Sequence, residues 1–380
     1  MRVLLISHTC QSRTEGQPKA ALLAQRPGIE LKVLIPERWM HYGQWREAQP
    51  PLDNAFDCEI GRVCWPWAGD RIGFYMHWYP GMEKLLRSFR PDIIDLWEEP
   101  WAQVSVQACR LRNRLLPGTR IVAETEQNIN KKLPPPFEPY RRFTLQQANF
   151  VVARNREAVE IVRSKGYRGP AEVVPNAVDA ELFHPMDRAE CRRELGLAGF
   201  VAGYVGRMVE EKGLMEMVDA LALCPSHFRL LFVGSGAYQA ELERRVREIG
   251  RESQVTFLPG RPLEQLPQVM NALDVLVLPS RTTPSWKEQF GRVLIEANAC
   301  GTPVIGSSSG AIPEVIGKAG IVVPERNSKA LADALRDLEA DPAVCAAMGR
   351  IGRLQVEENY TWQRVAERMS GIYEKVMQGP

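Results

Sequence analysis

Along this chain, short runs of β-branched and aliphatic residues alternate with stretches whose apolar positions fall three and four apart. In the first half the runs predict strands at Val3–Ser7, Leu31–Ile35, Asp92–Leu96, Arg120–Ala123, Phe150–Ala153 and Glu172–Val174. They recur in the second half at Val201–Val205, Arg229–Val233, Val255–Leu258, Val275–Leu278, Pro303–Ile305 and Ile321–Val323. Glycine or proline flanks most of them, and Leu214–Leu223, Tyr238–Gly250 and Ser328–Leu338 carry helical spacing. Strand and helix in turn imply parallel sheets with right-handed crossovers. The fold class is therefore α/β, used twice: residues 1–172 form one domain and 173–358 another. Pro175, Asn176 and Asp179 supply turn chemistry at the join. A last helix, Thr361–Val376, is long enough to pack back on the first domain, so 359–380 is assigned that role.

Composition narrows this picture. A length of 380 residues exceeds what one core usually holds. With 45% hydrophobic and 25% charged residues, the chain is neither disordered nor a coiled coil. No apolar run approaches the roughly 20 residues of a membrane span, and the apolar start is too short for a signal peptide. The eight cysteines are scattered without a C-x-x-C pair, as in reduced cytoplasmic proteins. They suggest no zinc site, and H-E-x-x-H is absent as well. Net charge is only +2, which gives no reason to expect a nucleic-acid partner. It is unevenly split: residues 1–170 hold 25 Lys+Arg and 18 Asp+Glu (+7), leaving 23 and 28 (−5) for the rest. The basic half suits an anionic acceptor or peripheral membrane contact, and equally a solvated mixed-charge surface.

Open α/β sheets bind ligands at the carboxyl ends of their strands, so the loops there are the places to search. After Val201–Val205 comes Gly206-Arg207-Met208-Val209-Glu210-Glu211-Lys212-Gly213, a glycine-bounded loop with two cations ahead of a helix. Arg can grip phosphate oxygens in two places, Lys adds a point charge, and the helix N-terminus adds its dipole. After Val275–Leu278, Glu288 and Glu296 stand eight residues apart beside the helix Arg292–Cys300. If both were helical they would lie about 12 Å apart along the axis, the reach of a sugar and a ribose on one nucleotide.

Glu288-Gln-Phe-Gly-Arg-Val-Leu-Ile-Glu296-Ala-Asn-Ala-Cys-Gly-Thr-Pro-Val-Ile resembles the E-x7-E signature of the family-4 retaining glycosyltransferases of GT-B fold. Gly206-Arg207…Lys212-Gly213, Phe232-Val-Gly-Ser-Gly236 and Leu273–Ser280 stand in that family's order, so the likeness spans residues 173–325. The resemblance implies two Rossmann-like domains facing across a cleft and a UDP- or GDP-sugar donor. In such enzymes the residues matching Arg207 and Lys212 stabilise the leaving diphosphate. The one matching Glu288 faces the sugar, and Glu296 holds the ribose. Gly206, Gly236, Arg261, Phe290 and Gly291 lie along the donor. No cofactor or metal is implied, because basic side chains and helix dipoles neutralise the diphosphate.

The first half matches less closely. The loop after the first strand, Ser12–Lys19, has one glycine where relatives often have several; Gly16 is still expected to approach the donor diphosphate, and Pro18 and Lys19 to alter the loop's shape. Relatives often carry a histidine after the strand matching Arg120–Ala123; here Glu124 and Glu126 occupy the segment, with Lys131 beyond it. These three are the acceptor-side candidates. Glu126 is placed to orient an acceptor hydroxyl, with helix capping or a solvated turn as the plain alternative for both glutamates. Glu98-Glu-Pro-Trp101, the aromatic run Phe74–Pro80 and the segment Lys131–Arg142 are either contacts for a glycan, glycolipid or small-molecule acceptor or ordinary packing. His8 reads as structural. A dinucleotide-dependent oxidoreductase is disfavoured, since Gly234-Ser-Gly236-Ala-Tyr-Gln239 lacks the third glycine. An epimerase or hydrolase of nucleotide sugars, or a non-catalytic binding protein, remain the other readings.

Overall fold

The aliphatic runs assemble into two separate parallel sheets. The computed structural model describes residues 1–41, 44–65 and 75–379. It divides into one unit of residues 1–175 with 362–380 and a second of residues 176–361.

Unit 1 begins with β1 (Arg2–Ile6), α1 (Gln17–Ala24) and β2 (Glu30–Pro36). An antiparallel hairpin follows, β3 (Arg38–His41) and β4 (Gln44–Glu47), then β5 (Asp57–Gly61). Next come α2 (Met82–Phe89), β6 (Ile93–Leu96), α3 (Gln103–Leu115) and β7 (Arg120–Thr125). The series closes with α4 (Phe137–Gln147), β8 (Phe150–Ala153), α5 (Arg156–Ser164) and β9 (Ala171–Val173). Seven strands pair in the order β5-β2-β1-β6-β7-β8-β9, with every pairing parallel. The central strands are apolar on both faces, and Val3, Leu4, Leu5 and Ile6 are fully buried, as a helix-covered parallel sheet requires.

Unit 2 contains α6 (Arg188–Leu195), β10 (Phe200–Val205), α7 (Leu214–Ala222), β11 (Phe228–Val233), α8 (Gln239–Glu248) and β12 (Val255–Leu258). It continues through α9 (Leu266–Ala272), β13 (Val275–Leu278), α10 (Arg292–Ala299), β14 (Val304–Ser307), α11 (Ile312–Ile316) and β15 (Gly320–Val323). Two helices, α12 (Ser328–Ala340) and α13 (Pro342–Asn359), complete it. Its six strands run β12-β11-β10-β13-β14-β15. Small residues let α13 approach α10 closely: a Cβ on Gly349 would stand 2.1 Å from the Gly301 carbonyl oxygen. The chain then returns to unit 1 as α14 (Trp362–Gln378), lying against α1. Its buried residues Val365, Ala366, Met369, Ile372, Tyr373 and Val376 form one helical stripe. The Tyr373 hydroxyl donates to the buried Asp95 carboxylate at 2.6 Å.

Three strands were not anticipated. β5 has a half-exposed edge pattern, and β3 and β4 belong to a small hairpin outside the main sheets, so none carries the aliphatic run that marks a central strand. β7 also extends to Thr125. Glu124 is thus a strand residue, neither a cap nor a turn. Within each sheet the strand order reverses beside the unit's first strand, between β1 and β6 and between β10 and β13.

Candidate active site

In unit 2 the reversal point brings together the loop after β10 and the loop after β13. Glycine makes this possible at two positions. Gly213 adopts φ +66° beside the Pro279 carbonyl oxygen, where a Cβ would stand 2.0 Å away. Gly291 adopts φ +83° and caps the N-terminus of α10. The Arg281 amide donates to the Glu211 carbonyl at 2.8 Å. Its guanidinium grips Glu216 through two bonds of 2.7 and 2.8 Å. These contacts brace one loop against the other.

Lys212 is held within that brace. Its Nζ donates to Glu288 Oε2 at 2.6 Å and lies 4.9 Å from the Trp286 ring centre. Ser280 Oγ donates to the same carboxylate oxygen at 3.0 Å. Glu288 is buried and sits in the loop before α10, because the left-handed Gly291 starts the helix at Arg292, as the sequence predicts. Glu296 is on α10 and buried, and burial raises its carboxyl above the usual range, with Arg292 partly offsetting the rise. Arg207 projects as an exposed residue from the β10 loop, and its carbonyl accepts from the Tyr204 hydroxyl at 2.7 Å. Gly206 and Gly236 permit close backbone stacking of the β10 and β11 loops. A Cβ on Gly234 would meet the Gly206 oxygen at 2.0 Å, and one on Gly236 the Met208 oxygen at 2.1 Å. The Phe290 side chain packs inward, edge-on to Tyr360 at 5.9 Å, leaving its backbone as the part available to a ligand. Arg261 is half-buried in the loop after β12.

Unit 1 arranges its charges differently. Lys19, Glu124 and Arg154 are all buried. Lys19 Nζ donates to Glu124 Oε1 at 2.5 Å, and Arg154 pairs with the other oxygen. Burial opposes ionisation of Glu124, but Arg154 and Lys19 outweigh it and lower the pKa. Glu124 is therefore held by two internal cations, and it also borders the pocket shared with Glu126. Lys19 is a buried residue of α1 and no part of a reshaped loop. Gly16 is pressed against the backbone of Thr9 and Cys10, where a Cβ would approach within 2.6 Å. Lys131 lies half-buried in the loop before α4, where its carbonyl accepts from Arg141 at 3.4 Å.

Glu126 is the partly open member of the group, 39% exposed, with Arg154 Nε 3.4 Å away. It borders a pocket of about 110 Å³ at the ends of β1, β6 and β7, together with His8, Trp97, Glu98 and Glu99. His8 Nδ1 lies 2.8 and 2.9 Å from the two Glu98 oxygens, and the ring stacks on Trp39 at 4.9 Å. Burial disfavours the charged imidazole, but Glu98 more than compensates and raises its pKa. His8 is thus part of this pocket, paired across 90 residues of chain. Glu99 accepts from Thr125 Oγ1 and from the Glu126 amide at 2.6 and 2.9 Å. Even so, burial drives its pKa to about 8. The aromatic segments pack inward: Trp101, Leu133 and Phe137 form a buried cluster with Tyr75 and Tyr140 against it. Phe74, the first residue of the aromatic run, lies outside the described residues.

Residues 187–355 match the family model of the glycosyl transferases group 1, and residues 22–182 match that of glycosyltransferase family 4. The D-inositol 3-phosphate glycosyltransferase of Corynebacterium jeikeium is 31% identical over 309 residues, 74% of this chain and 68% of that protein. A GDP-mannose-dependent alpha-(1-6)-phosphatidylinositol monomannoside mannosyltransferase of Mycolicibacterium smegmatis is 36% identical over 214 residues, 53% of this chain and 56% of that protein. Among solved structures, sucrose-phosphate synthase from Thermosynechococcus elongatus shares the fold with a TM-score of 0.76 at 22% identity. The match covers 100% of this chain and 99% of that one.

Proposed function

The chain belongs to the family-4 glycosyltransferases of group 1, and we propose that it moves a sugar from a UDP- or GDP-sugar to an acceptor hydroxyl with retention of configuration. The observation that carries this reading is the Lys212–Glu288 pair, 2.6 Å apart at the reversal point of the unit 2 sheet. Ligands of open α/β sheets bind at such points. There Arg207 and Lys212 meet the diphosphate, and the amides at Gly291 and the start of α10 add the positive end of a helix dipole. As the nucleotide leaves, charge develops on its bridging oxygen, and preorganised cations stabilise that change more than they stabilise the bound donor. Glu288 faces the sugar and Glu296 the ribose hydroxyls. The cations take the place a divalent metal would otherwise fill, so turnover is expected to survive chelation.

Incubating the protein with UDP-glucose and GDP-mannose, with and without sugar and polyol acceptors, tests the proposal. Acceptor-dependent release of nucleotide and an unchanged anomeric configuration by NMR are expected. Nucleotide release at equal rates without acceptor would point to hydrolysis and contradict transfer.

A further inference from the structure

The pocket of unit 1 carries a charge pattern that bears on the acceptor. It lies where β1 and β6 part, the reversal point of that sheet, which is the topological position for a ligand. Among the described residues that line it, His8 alone is basic, against Glu98, Glu99, Glu124 and Glu126. His8 is engaged by both oxygens of Glu98. The nearby cations are also committed: Lys19 and Arg154 hold Glu124, and their side chains are 1% and 3% exposed. Among the described residues, a phosphate entering this space would therefore meet carboxyl groups and no available cation. Burying an unpaired anion is costly, and a neighbouring carboxylate raises the cost. Hydroxyl groups are the complementary partners, because each can donate to a carboxylate and accept from a protonated acid or imidazole. Trp97 also lines the pocket, with Lys19 Nζ 4.1 Å and the Arg154 guanidinium 5.2 Å from its ring centre.

Building on the transferase reading, we propose that this pocket selects a polyol acceptor bearing no phosphate or other anion near the accepting hydroxyl. Glu126, the most open of the carboxylates, is its specificity-determining residue. The relative from Corynebacterium jeikeium is named for a phosphorylated acceptor, so the proposal separates this chain from that relative in substrate class.

Saturation-transfer NMR on the full chain, with saturating UDP or GDP, compares myo-inositol with myo-inositol 3-phosphate and glucose with glucose 6-phosphate. The uncharged member of at least one pair is expected to bind about tenfold more tightly or better. Glu126→Lys is expected to narrow or reverse that preference, and Glu126→Gln to weaken it. Tighter binding of the phosphorylated members, equal binding within the pairs, no binding of any member, or a preference untouched by Glu126→Lys overturns the proposal. Nucleotide binding is followed on the same samples. Its loss would refute the donor reading, whereas a preference for phosphate with nucleotide binding intact refutes only the acceptor inference.

Discussion

Replacing Lys212 with Met removes one cation and leaves a side chain of similar length. The Lys212 and Glu288 side chains are 16% and 10% exposed, so the ammonium works in a largely dehydrated setting. A hydrogen bond to a charged group is worth about 1.5–3 kcal/mol there, or roughly a 10- to 150-fold loss in kcat/KM. The structure places the effect toward the upper end. Without Lys212, the buried Glu288 carboxylate loses its cation and faces the incoming diphosphate as a like charge. Glu288→Gln in the Lys212→Met background should therefore restore part of the nucleotide affinity, although Glu288→Gln alone is expected to impair turnover. Titrating UDP or GDP into the single and double variants, alongside steady-state kinetics, closes a double-mutant cycle. Coupling on the order of 0.5–3 kcal/mol is expected for residues in contact. Wild-type kcat/KM in Lys212→Met, or strictly additive losses, would refute the reasoning.

Three further outcomes follow from packing and burial. Gly213→Ala combines a left-handed backbone with a Cβ 2.0 Å from the Pro279 oxygen. It should destabilise unit 2 by at least about 1–3 kcal/mol and weaken nucleotide binding; an unchanged melting curve would contradict the loop brace. Lys19→Met leaves the buried Glu124 with Arg154 as its cation, and a loss of about 1.5–3 kcal/mol in chemical denaturation is expected, that of one charged hydrogen bond. Glu99 has a folded pKa of about 8 against 4.5 for the free group. Its protonated form favours the fold, so this contribution is complete below pH 4.5 and is lost as pH rises through 8. Thermal stability should fall between about pH 5 and 8 and level off above, with a shallower fall in Glu99→Gln. Burial and the neighbouring Glu124 raise the Asp95 carboxyl as well, so part of the slope should remain.

The sequence made the two sheets legible because their central strands are continuous aliphatic runs, as in β1 and β13. The meeting of two loops in unit 2 was legible because Gly206–Gly213 and Glu288–Glu296 are contiguous segments at the ends of strands. Within the second segment Gly291 turns the chain and starts the helix at Arg292, so Glu288 stands in the loop that precedes it. Unit 1 was less readable because its important pairs are remote in sequence. Lys19 and Glu124 are 105 residues apart, and His8 and Glu98 are 90 apart. No local pattern marks either partner, and only the parallel order of β1, β6 and β7 brings them together. The same holds for Arg281 and Glu216, whose brace spans 65 residues.

The claim that this chain is a nucleotide-sugar enzyme is tested most directly by calorimetric titration of the purified protein with UDP, GDP and NAD, alongside Glu296→Ala. Saturable binding of UDP or GDP that weakens in the variant is expected from the proposed ribose contact at Glu296. Binding of NAD alone, or nucleotide affinity indifferent to Glu296→Ala, would contradict it.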